Sequence, residues 1–111
     1  MARNKAMGSV RIGPMTFDVI NVRGLCNEEK APIFGIIEYA PATIQIDAGL
    51  CAQTAYITLW HEVLHGILVC AGVDEHDEQT LLALAHGVVQ VLESNPDLRS
   101  MKRACKSQLV R

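Results

Sequence analysis

The hydrophobic pattern of this chain changes period once, near residue 50, and that switch limits its fold more than any other feature. Up to Asp47 the apolar residues alternate with polar ones or are β-branched, as half-buried strands require. From Gln53 they recur every three or four positions, which is the period of a helix. Strands first and helices second is the pattern of an α+β domain. Residues 9–12, 16–22, 34–39 and 43–47 read as strands. Gly13-Pro14 marks a turn between the first two, and residues 27–30 form a polar loop with Glu28 and Glu29. Ala40-Pro41-Ala42 is short enough to join the last two as an antiparallel hairpin. In that last strand Ile44 and Ile46 share one face and Gln45 takes the other.

Two helices follow. Residues 53–71 carry a stripe of Ile57, Trp60, Leu64, Ile67, Leu68 and Ala71, with Gly72 placed to end the helix. Asp74, Glu75, Asp77 and Glu78 crowd the start of the second helix, which Asn95-Pro96 stops after Ser94. Its stripe is Leu81, Leu82, Ala85, Val88, Val89 and Leu92. The expected fold is a small antiparallel or mixed sheet packed on these two long helices.

At 111 residues the chain supports one modest core, assigned to residues 9–96. Residues 1–8 are expected to be a flexible N-terminus. Residues 97–111 are expected to be a loosely docked basic tail carrying Arg99, Lys102, Arg103, Lys106 and Arg111. A formal net charge of −2 argues against overall attraction to nucleic acid or anionic membrane. No apolar run is long enough to span a bilayer, and residues 1–8 lack the apolar region of a signal peptide. The four cysteines (Cys26, Cys51, Cys70, Cys105) form no C-x-x-C pair, so reduced thiols in a cytoplasmic protein are expected.

Chemistry concentrates in His61-Glu62-Val63-Leu64-His65. Two histidines four apart lie one above the other on a helix, so both imidazoles can reach one ion at about 2.0–2.1 Å. Glu62, one step round, can meet a water on that ion without ligating it. Zinc lowers the pKa of bound water to about 7 and polarises a carbonyl. Glu62 is thus the expected general base, passing the proton on to a leaving amine. The bland reading is two surface histidines flanking a solvated glutamate. An H-E-x-x-H run inside a strongly helical segment makes that the weaker reading.

A catalytic zinc needs a third protein ligand. Glu78 is the choice, because it shares a helical stripe with Leu82, Ala85, Val89 and Leu92, a core-facing carboxylate needs a cation, and the turn at Gly72 folds the second helix back so that its first turn can reach the site. His76 and Asp77 are the alternatives. The other acids suit the helix dipole alone. His86, two turns after Glu78, and Asp77 are candidates for supporting the ligands from behind. A hydrogen-bonded, partly buried histidine is the simpler account of His86. Tyr39 and Tyr56 could donate to a reacting oxyanion, with packing the simpler role.

The order of two strands, Ile44-Gln45-Ile46-Asp47-Ala48-Gly49-Leu50, a polar helix start and His61-Glu62-Val63-Leu64-His65-Gly66-Ile67-Leu68 resembles the small zincin-like metallopeptidases of the ImmA/IrrE type, especially short phage and prophage forms. Residues 78–86 and 92–96 share the likeness. The resemblance implies a gluzincin-like centre holding one Zn2+ on His61, His65 and Glu78, with Glu62 catalytic. It implies peptide or protein substrates such as repressors, and a host cytoplasm as the setting. A metzincin is excluded, because Ala71 stands where its third histidine belongs. The competing expectation is a regulatory protein that keeps a metal-stabilised zincin scaffold without turnover. In either case residues 43–47 are expected to be the edge on which an extended peptide adds.

Overall fold

The computed structural model describes residues 5–109. Among these, the elements in chain order are β1 (Lys5–Ile12), β2 (Met15–Val22), β3 (Gly35–Glu38), β4 (Thr43–Asp47), α1 (Ala52–Cys70), α2 (Glu78–Ser94), the 3-10 turn η1 (Leu98–Ser100) and α3 (Met101–Leu109). The class is α+β with a mixed sheet, as the change of period requires.

β1 and β2 form a hairpin that closes on Ile12 opposite Met15, with Gly13 at a φ of 55° in the turn. β3 and β4 form the expected antiparallel hairpin, pairing Ile37 with Ile44, and the Ala42 N–H donates to the Tyr39 carbonyl across the turn. The strand order is β1-β2-β4-β3, and β4 runs parallel to β2. Residues 43–47 are therefore an interior strand, which corrects the expectation that they form an edge. Ile44 and Ile46 are fully buried, and a strand between two neighbours buries such residues better than one at the rim. The edges are β1 and β3.

The core joins Ile12, Phe17, Val19, Ile44 and Ile46 of the sheet to Val63 of α1. α1 packs on β1, β3 and β4 with one face and on α2 with another. It is the middle layer, so the sheet is covered chiefly by one long helix and the second helix covers the first. This explains why the α1 stripe read from sequence is displaced. The buried residues are Thr58, Glu62, Val63 and Gly66, whereas Ile67 and Ala71 are exposed. A helix packed on two sides spreads its apolar residues round the axis, and no single stripe identifies the sheet face. Gly66 sets the closeness of that packing. A Cβ there would lie 2.8 Å from Ile12 Cδ1 and 3.1 Å from Ile37 Cδ1.

On α2 the buried line is Leu81, Ala85 and Val89, and Leu82 is exposed. At the ends, β1 begins at Lys5, so residues 5–8 are strand, and residues 1–4 lie outside the described part. The basic segment is helical, and Arg111 lies outside the described residues. Among the described residues the four cysteines are free thiols, and no helix is long and apolar enough to cross a membrane.

Candidate metal centre

His61 and His65 lie in the third and fourth turns of α1, with their ring centroids 4.8 Å apart. α1 ends shortly after them in a Schellman motif. Val73 N–H donates to the Leu68 carbonyl at 2.8 Å and Gly72 N–H to the Val69 carbonyl at 3.0 Å, with Gly72 at a φ of 83°. That reversal returns the chain toward the histidines. Asp77 then caps α2, its Oδ2 accepting from the Thr80 N–H at 3.0 Å and the Thr80 hydroxyl at 2.6 Å. These two bonds hold the Asp77 carboxyl below its ordinary pKa. The cap fixes where α2 begins and so where Glu78, its first residue, stands.

Glu78 reaches both histidines. Its Oε1 lies 2.5 Å from His65 Nε2, and its Oε2 lies 3.4 Å from His61 Nε2. One ligand atom from each of His61, His65 and Glu78 lies within 4.8 Å of the others, a set that can hold a metal ion. The fold-back at Gly72 is found as expected, whereas the expected core-facing carboxylate is not. The Glu78 side chain is 63% exposed and does not point into the core. The α1–α2 reversal and the Asp77 cap carry it to the histidines.

His76 is the only half-buried residue in an otherwise exposed connection at residues 71–77. Its Nε2 lies 2.7 Å from His65 Nδ1, while Glu78 meets His65 on the opposite ring nitrogen. His76 thus stands behind His65 and outside the ligand set. Of the two residues expected to support the ligands, Asp77 is spent on the helix cap and His86 is exposed on α2. A ligand histidine normally donates its second N–H to a partner that fixes its tautomer. His76 occupies that position, and its place in a connecting loop gives no helical spacing by which to find it.

Glu62 is buried, with Oε2 3.4 Å from His61 Nδ1. Its pKa is pushed up to about 7, first by burial and then by the nearby Glu78 carboxylate, while the Ile37 backbone N–H pulls it down. Ile37 belongs to edge strand β3, so the Glu62 carboxylate sits where helix and sheet edge meet. Tyr39 is close enough to feel it. Burial, then the Cys70 thiol and Glu62, raise the Tyr39 pKa, and its ring packs edge-on to Phe17 at 5.9 Å. Tyr56 is 40% exposed.

The donor set could hold a metal ion. Burial, with His61 and His76 beside it, lowers the His65 pKa against the opposing pull of Glu78, which favours the neutral imidazole that ligates metal. His61 Nε2 is buried without a hydrogen-bond partner, although Glu78 lies at ion-pair distance. A buried ring nitrogen left in that state costs about 1–3 kcal/mol, and a cation between His61, His65 and Glu78 would remove the deficit.

Comparison of the chain with protein-family models, curated proteins and solved structures finds no match. The geometry itself defines a two-histidine, one-carboxylate centre with a buried glutamate alongside.

Proposed function

We propose that this chain is a zinc-dependent peptidase of the zincin-like kind, acting as the ImmA/IrrE-type enzymes that its sequence resembles do. The supporting observation is the convergence of His61, His65 and Glu78 from two helices, with the buried Glu62 carboxylate beside them. Two imidazoles and a carboxylate are a donor set that zinc favours among the common biological ions. His61, His65 and Glu78 would supply the three protein donors that a catalytic zinc site uses. His76 would stay outside that set, because it lies against the Nδ1 side of His65. When bound, the ion supplies a Lewis acid that acidifies water and polarises a carbonyl.

The remaining work belongs to the protein. Glu62, with a pKa of about 7, can take a proton near neutral pH and return it to the leaving amine. β3 is the sheet edge beside α1, and its Ile37 N–H acts on Glu62. An extended peptide pairing along β3 would carry its backbone past that carboxylate. Peptide or protein is therefore the substrate class, and a regulatory protein of a phage or its host is the expected target.

Glu62→Gln separates this reading from a metal-stabilised scaffold without turnover. The variant keeps the ion and loses cleavage of a peptide library by at least ~100-fold, the scale of general-base catalysis. Cleavage by Glu62→Gln at the parental rate refutes the mechanism. Zinc binding with no cleavage by the parent supports the scaffold.

A further inference from the structure

α3 is an amphipathic helix held away from the rest of the chain. Its neighbour is η1, and the molecule measures 58 Å along one axis against 30 and 26 Å along the others. The radius of gyration is 16.0 Å, where a compact domain of this length has about 13 Å. Leu98, Met101 and Cys105 recur at helical spacing and are exposed, so an apolar line runs along the projecting arm. Arg99, Lys102 and Arg103 stand on its other sides.

α2 presents a matching face. Opposite its buried line, Leu84 is 51% and Val91 42% exposed. With Ala83, Gly87 and Val88, and with Leu98 where the arm departs, they line a groove of about 440 Å³. Nothing lies within 4 Å of where a Gly87 Cβ would be, so a second helix could approach closely there. The arm cannot fill the groove while it projects.

Charge selects the occupant. Residues 98–111 contain five of the ten Lys and Arg and none of the twelve Asp and Glu, so a basic arm follows an acidic body. Glu93 and Asp97 sit at the arm end of the groove, and the last turn of α2 has no basic residue to balance its dipole. A second copy of this chain offers both an apolar line for the groove and cations for the α2 C-terminus.

We propose that two copies pair by exchanging α3, each laying Met101 and Cys105 along Leu84, Gly87 and Val91 of the other. The exchange is two-fold and isologous, so each contact is made twice. It is independent of the metal centre.

Sedimentation equilibrium on the full chain, at low and high salt, tests the proposal. A dimer is expected, tighter at low salt. Leu84→Glu and Met101→Glu should each raise its dissociation constant roughly tenfold or more, about 1.4 kcal/mol. Far-UV circular dichroism confirms that each variant is folded. Gly87→Cys should give an intermolecular disulfide to Cys105 under mild oxidation. A chain that stays monomeric at hundreds of micromolar overturns the proposal and leaves the groove to a different partner. A dimer equally tight in both folded glutamate variants, or one whose Gly87→Cys form does not cross-link to Cys105, also overturns it.

Discussion

Replacing Glu62 with glutamine should stabilise the metal-free protein, by an amount that depends on pH. The Glu62 pKa is about 7 in the folded chain against 4.5 for a free glutamate. That difference corresponds to about 3 kcal/mol. The folded pKa is raised, so between pH 4.5 and 7 the folded state binds more protons than the unfolded state. Wild-type stability therefore falls as pH rises through that window, and the loss is complete above it. The amide of the Glu62→Gln variant has nearly the same shape and no charge, so the variant lacks this loss. Urea unfolding in a chelating buffer, on parent and variant together, isolates the effect because every other titrating group is common to both. The variant's advantage should grow by about 3 kcal/mol from pH 4.5 to about pH 8. A difference that does not change with pH would show that the Glu62 carboxylate is not held in a dry site beside Glu78.

Other outcomes follow from the same geometry. His76→Ala should weaken zinc affinity by about 10–100-fold without removing a ligand, measured by competition with a chromophoric chelator, and His76→Gln should recover part of it. Gly35→Ala should destabilise the fold by about 1–3 kcal/mol in denaturant unfolding, because the new methyl would lie 2.6 Å from Thr58 Cγ2 and 3.1 Å from the Gln45 carbonyl oxygen. Asp77→Ala should weaken metal binding although Asp77 is not a ligand, since it releases the cap that places Glu78. An isothermal titration of Asp77→Ala that matches the parent would detach the cap from the site.

Much of this is legible in the sequence because local rules decide it. Gly72 and Asn95-Pro96 are local stop signals, and α1 and α2 end beside them. The H-E-x-x-H run fixes the two histidines on one helix face wherever that helix is packed. What the sequence hides depends on three-dimensional partners. β4 is as apolar as an edge or a central strand could be, and only its pairing with β2 shows which it is. α1 is packed on two sides, so its pattern does not reveal that Thr58, Glu62, Val63 and Gly66 are its buried positions. The stripe that singles out Glu78 holds at Ala85 and Val89, which are buried, and fails at Leu82, because Leu81 takes the buried position there. His76 sits in a connection without periodicity, and only the reversal at Gly72 brings it to His65.

In the proposed site His61, His65 and Glu78 bind one divalent cation together. Zinc content of the purified chain, measured by plasma mass spectrometry beside His61→Ala, His65→Ala and Glu78→Ala, tests it most directly. One zinc per parent chain is expected, with tight binding lost in all three variants. A parent that takes up no zinc, or a Glu78→Ala variant that holds it as firmly as the parent, would contradict it.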